Sequence, residues 1–397
     1  MKKVYLDNAA CTPLDPRVFE VMTPYFVEEY GNPATIHSYG LAPREGMEKA
    51  REQVGLLLNA KPENVFFTSN GSESNNMAIK GVCFANQARG KHIIVSEIEH
   101  FSVLQAVKSM EKLGFTSSQL KVGTDGIVKT DELKNLIKDE TVLVSIMLAN
   151  HEIGTIQPIA EAAAVIKKIN ADRVLRKLQP VYLHTDAVAA VGVIPVDVEA
   201  LGIDLLSLAS SSFYGPKGAA ALYIRNGVRI NPLIDGGIQE GGRRAGLENV
   251  PAIVGMGKAA EFAKSEMIER NKKMEPLRDL MIQLILKNIT QVRLNGDAKK
   301  RLPGNVNVSV EFIEGESMLM WLDDVGIAAS SGSACTSKAL KASHVLLSIG
   351  VPQEVCHGSM LFSLNKDITK TEVEFAAEEF TKIVKKLREM SPLYKKS

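Results

Sequence analysis

Six short runs of aliphatic and β-branched residues, alternating with stretches of helical spacing, constrain the fold of this chain more than any other feature. The runs are Asn64–Ser69 (NVFFTS), Lys91–Ser96 (KHIIVS), Thr141–Leu148 (TVLVSIML), Val181–Ala187 (VYLHTDA), Asp204–Ala209 (DLLSLA) and Ala219–Arg225 (AAALYIR). Near-continuous apolar runs suit strands covered on both faces, as in a mostly parallel sheet. Helical spacing lies between them, at Leu41–Leu58 and Ile159–Ile169. The alternation predicts a doubly wound α/β domain. At 397 residues, 45% of them hydrophobic, the chain is long enough for a second domain.

The pattern changes after about Met256. A long charged helical stretch, Lys258–Ile289, leads into an alternating strand, Asn305–Val310, and a closing helix, Thr371–Met390, whose Val373, Ala376, Phe380, Ile383, Val384 and Leu387 form one apolar stripe. This predicts a smaller α+β domain. Forty-seven Lys and Arg almost match 46 Asp and Glu, giving a net charge of +1 that points to neither nucleic acid nor a membrane surface. The basic N-terminal residues have no apolar segment behind them, so no signal peptide is expected, and no run approaches ~18 apolar residues. Four scattered cysteines, Cys11, Cys83, Cys335 and Cys356, make neither a disulfide framework nor a CxxC metal site. A reducing cytoplasm is the expected compartment.

Candidate chemistry clusters at the ends of these runs. Phe67–Asn76 (FTSNGSESNN) places small polar residues between a strand and a helix. Free N–H groups around Gly71, with the Ser72 hydroxyl, suit a phosphate; simple capping by Ser69, Ser72 or Ser74 explains the same residues. His100 follows a strand, where its ring can close the strand end by hydrogen bonding. Asp186 follows another, as a binding carboxylate or as a buried turn residue. His184 and His357 lie in apolar contexts and read as core histidines. Cys335 lies in Ser330–Leu340 (SSGSACTSKAL), whose small polar flanks suit an exposed loop and a reactive thiol; Cys83 and Cys356 read as structural.

These segments, in this order, resemble the cysteine desulfurase family of the NifS and IscS type. The resemblance runs from VYLDNAACTPLDPRV through Gly31–Gly40, Asn150–Pro158, Ser207–Gly218 and Gly241–Ala259 to EGESMLMWLD, SSGSACTS and LREMSPLY. It implies a fold type I pyridoxal-phosphate (PLP) transferase fold, with residues 12–258 in a large domain and residues 1–11 with 259–397 in a small one carrying the cysteine loop. It also implies a homodimer whose cofactor pockets are completed across the two-fold axis. Ser72 stands at the family's phosphate-binding threonine, His100 at its ring-stacking histidine, and Asp186 at its pyridine-nitrogen carboxylate. His151 replaces an asparagine, and with Ser210 and Ser211 it is expected among the cofactor-binding residues. Cys335 stands at the sulfur-accepting cysteine.

The departures are as specific as the matches. Ser212 stands where the family has its cofactor lysine, and Ser211 where it has the adjacent histidine. A hydroxyl forms no Schiff base, so covalent anchor and proton shuttle are both missing. Ala189 replaces a ring-contacting glutamine, Leu247 a threonine that reaches phosphate across the dimer, and Leu361 the arginine that clamps the substrate carboxylate. Lys217, five residues beyond Ser212, is a poor substitute. The resemblance then implies an IscS-like protein of iron–sulfur cluster assembly that binds an IscU-type scaffold and presents Cys335 as persulfide carrier or as ligand of a shared 2Fe-2S cluster. On this view PLP-dependent desulfuration is lost, PLP is held noncovalently at best or is absent, L-cysteine is a doubtful substrate, and Tyr394 is either a docking contact for the scaffold or part of a solvated tail. The alternative is the family's ordinary reaction, L-cysteine to L-alanine with a persulfide left on Cys335.

Overall fold

The computed structural model describes residues 3–331, 342–392 and 394. All six apolar runs become strands of one seven-stranded sheet. Its order is Val65–Thr68, Ala220–Ile224, Leu205–Ala209, Tyr182–Asp186, Thr141–Ser145, His92–Ser96 and Thr116–Leu120. Five neighbouring strands run parallel, and Ala220–Ile224 is antiparallel to both its neighbours. The antiparallel strand follows from chain length: only residues 210–219 separate it from Leu205–Ala209. A parallel return needs a crossover of about a dozen residues or more. The fold is thus α/β with a mostly parallel sheet, the architecture of fold type I PLP-dependent transferases.

The seventh strand, Thr116–Leu120, is not legible in the sequence. It reads TSSQL and forms the sheet edge, half exposed, so it lacks the apolar run that marks its buried neighbours. The Thr141–Leu148 run has the opposite fault. Its strand stops at Ser145, and Ile146, Met147 and Leu148 continue as a buried loop.

A second sheet of three antiparallel strands, Val292–Leu294, Asn305–Val310 and Ser359–Ser363, packs with the closing helix Lys370–Met390 around Val306, Val308, Phe362 and Phe380. That helix starts in a capping box: Thr369 Oγ1 accepts the Glu372 N–H while Glu372 accepts the Thr369 N–H. Residues Val4 and Leu6 join this core.

One 39-residue helix, Val250–Asn288, joins the two cores. Ile253, Met256 and Ala260 pack into the first; Met274, Met281 and Ile285 pack into the second. At about 1.5 Å per residue it spans about 58 Å, longer than either core alone requires. Its first half lies against the Leu41–Leu58 helix so tightly that a Cβ on Gly257 would meet the Ala50 Cα at 2.5 Å. Between Ala263 and Met274 neither apolar cluster claims its inward face fully, and there the helix borders the crevice that holds the site. No helix among the described residues is long and apolar enough to cross a membrane.

Candidate active site

Parallel α/β sheets bind ligands beyond the carboxyl ends of their strands, where the backbone turns away and leaves a crevice. Here that edge opens into a cavity of about 500 Å³. Gly71 and Ser72 enter it from the end of Val65–Thr68, His100 from His92–Ser96, His151 from the turn after Thr141–Ser145, Asp186 from Tyr182–Asp186, and Ser211 and Ser212 from Leu205–Ala209. Five separate sequence segments with no shared local pattern therefore meet in one place.

At one end the 16-residue helix Gly71–Asn86 points its N-terminus at the cavity. Asn70 caps it, its Oδ1 accepting the Glu73 N–H at 2.9 Å. Gly71 is required by space: a Cβ there would stand 2.7 Å from Val188 Cγ2. The Ser69 N–H reaches back to Glu73, and Arg244 holds the other Glu73 oxygen at 2.9 Å. Those contacts keep Glu73 below the usual carboxylate range despite its burial. They also pin the loop that places Ser72.

In the middle lies a continuous polar relay. Asn75 Nδ2 donates to Asp186 Oδ2 at 2.7 Å and to Ser102 Oγ at 2.8 Å. Ser102 in turn lies 2.8 Å from His100 Nδ1, which also accepts the Ser102 N–H at 3.1 Å. With Nδ1 accepting, the neutral His100 ring carries its proton on Nε2. His100 thus does cap its helix, and it also faces the cavity. Its ring meets His151 edge-on at 5.1 Å. Burial, then His100 and His344, push His151 down to about 3, so it is neutral. Asp186 is nearly buried and accepts the Val188 N–H at 3.0 Å. Burial raises its pKa against the help of that N–H, His100 and Asn75.

Beneath this relay Glu99 is fully buried. Its Oε1 accepts from Met147 N–H at 2.7 Å and Ser96 Oγ at 2.5 Å, while Oε2 has no partner among the described residues. Burial raises its pKa from the ordinary 4.5 to about 8. The folded protein therefore holds a proton that the unfolded chain releases above pH 4.5. The stability this proton contributes is fully present below 4.5 and is lost as pH rises towards 8. Glu99→Gln, neutral throughout, is expected to flatten the fall in urea midpoint between pH 5 and pH 8; an unchanged slope would mean that Glu99 is ionised in the fold.

The far wall is the Ser210–Ser212 turn. The N-terminal segment clamps it: Thr12 N and Oγ1 both donate to Ser211 O, at 2.9 and 3.0 Å, and the Tyr214 N–H donates to Thr12 Oγ1 at 2.7 Å. Tyr214 sits at φ 66°, strained for a bulky residue by about 1–3 kcal/mol. Its hydroxyl, which accepts the Lys366 N–H at 2.7 Å, helps hold it there. The hydroxyls of Ser211 and Ser212 stand at the cavity; Ser210 does not. It is fully buried behind the wall, packed against Gly215, where a Cβ would clash with its Oγ at 1.8 Å. The expected ligand role of Ser210 is corrected on that ground.

Among the substituted positions, Ala189 lines the cavity, Leu247 is exposed and outside it, and Leu361 is buried beside Ser330 without lining it. Cys335 lies outside the described residues. Tyr394 packs near Phe312 at 5.9 Å and under the Arg388 guanidinium at 5.2 Å, so its ring rests on its own chain. His184 is a satisfied core residue, bonded to Ser145 and Ser207. Among the cavity residues to which the sequence analysis gave no role are Cys11, Asn75, Ser102, Arg270 and Lys366. Asn75 alone carried a signal, lying one helical turn after Gly71.

The aminotransferase class-V family model matches residues 4–375. The chain belongs to that family. Within it the chain is similar to the cysteine desulfurase IscS of Dictyoglomus turgidum, 48% identical over 98% of this chain and 97% of that one. It is 49% identical to the cysteine desulfurase IscS of Methanosarcina thermophila, over 99% and 94%. Among solved structures a NifS-like protein superposes with a TM-score of 0.90 at 37% identity, covering 97% of this chain and all of that one. The IscS and NifS resemblance seen in the motifs thus extends along the full length.

Proposed function

We propose that this chain is a PLP-dependent cysteine desulfurase of the IscS type that works slowly, without a covalent tie to its cofactor. The observation that carries this is the relay Asp186–Asn75–Ser102–His100 beside the Gly71 helix N-terminus. The site fits PLP at two ends out of three. Gly71 and Ser72 would hold the phosphate at the helix N-terminus, where N–H groups and the helix dipole favour an anion. Asp186 would pair with the ring nitrogen; burial raises its pKa, and a cationic partner is what restores its charge. His100, fixed by Ser102, would face the ring. The aldehyde end finds hydroxyls, Ser211 and Ser212, instead of an amine. When bound, PLP supplies an electron sink for the carbon skeleton of an amino acid.

The chain's own contribution is then positioning and proton handling. Asp186 fixes the electrostatics of the ring end, His100 Nε2–H offers a proton towards the cavity, and His151, held neutral, offers no competing charge. Cys335 would receive sulfur as a persulfide while L-cysteine becomes L-alanine. A homodimer and an IscU-type scaffold partner belong to the same proposal, supported by the likeness to IscS proteins.

A second reading is favoured by one observation, the absence of an amine at Ser212. In it the chain has given up desulfuration and serves as a scaffold-binding platform, with Cys335 as persulfide carrier or ligand of a shared 2Fe-2S cluster. Lys217 and Lys366 bear on the choice, because both line the cavity and are primary amines. Purified protein loaded with PLP is expected to release L-alanine from L-cysteine, and Cys335→Ser to stop sulfur transfer. No alanine above background, with scaffold binding intact, would decide for the platform.

A further inference from the structure

Where the Val250–Asn288 helix passes from one core to the other, Arg270 turns into the crevice. It is 9% exposed. Nη2 donates to Glu266 Oε2 at 2.6 Å, whereas Nε and Nη1 are buried and have no partner among the described residues. The Glu266 carboxylate is not available to satisfy them, because Arg17 also engages both its oxygens, at 2.7 and 3.2 Å. The guanidinium lies 5.1 Å from the centre of the Tyr214 ring, in the same turn that carries Ser211 and Ser212. Arg270, Tyr214, Ser211 and Ser212 all line the one cavity. A buried guanidinium with two idle donors is costly unless a ligand uses them, and a carboxylate matches them in charge and geometry.

We infer that Arg270 binds the α-carboxylate of the amino-acid substrate. This rests on the proposed amino-acid chemistry of the cavity, and it locates the carboxylate on a different element from the one the family resemblance indicated. Leu361, on the Ser359–Ser363 strand, is buried away from the cavity and offers no donor. Arg270 comes instead from the long helix, and Tyr214 holds its guanidinium plane. Lys366 is the other cation nearby, but its ammonium group is tied to Asp367 at 2.9 Å and lies 3.8 Å from Asp15.

The test is binding of L-alanine against L-alaninamide, which lacks the carboxylate, to the full PLP-loaded chain by calorimetry. The native protein is expected to favour L-alanine by about 10- to 100-fold, the value of a charged hydrogen bond. Arg270→Gln is expected to reduce that preference below threefold while leaving alaninamide affinity and PLP affinity unchanged. A preference that survives Arg270→Gln, or one lost in Lys366→Met instead, overturns the assignment. Equal binding of the two ligands by the native protein overturns it as well. A loss of PLP affinity in Arg270→Gln as large as the loss of alanine affinity would assign the guanidinium to the phosphate, and also overturns it. Should Arg270→Gln fail to fold, Arg270→Lys decides: at least a threefold loss of preference is expected, and no loss refutes the role. Absence of alanine release from cysteine would sink the desulfurase proposal and leave this preference standing. Lost preference with alanine release intact would sink Arg270 alone.

Discussion

Ser212→Lys is expected to convert a noncovalent cofactor site into a covalent one. The variant should show a PLP absorption band that survives dialysis, and borohydride should fix the label on the peptide that contains position 212. The new amine adds a positioned proton carrier, a contribution of about 10²- to 10⁴-fold in comparable cases, and cysteine-dependent alanine release should rise within that range. Full family-like turnover is not expected, because Ser211 still lacks an imidazole and Leu247 and Leu361 still lack their polar groups. A variant that binds PLP covalently yet gains no turnover would show that the rest of the cavity has lost the reaction. One that turns over freely would show that those three positions matter little here.

Asp186→Ala is expected to have the second large effect. The carboxylate is the acceptor for Asn75 Nδ2 and the only acidic group lining the cavity among the described residues. Removing it would take away the proposed partner of the PLP ring nitrogen, and it breaks the relay that reaches His100. PLP affinity should fall at least tenfold, and alanine release to background. Stability should fall by about 1–3 kcal/mol, since one buried Asn75 donor loses its acceptor. Asp186→Asn separates the two effects: it can restore the hydrogen bond and the fold, but not the charge. If Asp186→Asn bound PLP as tightly as the native chain, the ring-nitrogen role would be wrong.

The two ends of the cavity differ in how they are built. The end at the helix N-terminus is local: Asn70, Gly71, Ser72 and Asn75 are within six residues, so their order in the chain already presents them together. The Ser211–Ser212 wall is not local. It is held by Thr12 from the N-terminal segment and by Lys366 from beyond the last strand of the small sheet. Substitutions at Thr12 or Tyr214, which also line the cavity, are therefore expected to move that wall.

The chain's alternation of apolar runs and helical spacing was enough to establish the α/β class, six of the seven sheet strands and the amphipathic closing helix, because burial on both faces demands a pattern that survives in one dimension. Composition and motif order were enough to place His100, Asp186, Ser211 and Ser212 at strand ends. The polar edge strand Thr116–Leu120 was invisible, since an edge strand only half buried needs no apolar run. Ser210 was misjudged because a one-residue step in a tight turn reverses which way a side chain points. Arg270 carried no signal at all: on a charged helix it looks like any solvated residue. Only the packing of two cores on one long helix left its guanidinium buried, short of partners and facing the crevice, because the energetic state of a polar group is decided by what the fold brings against it.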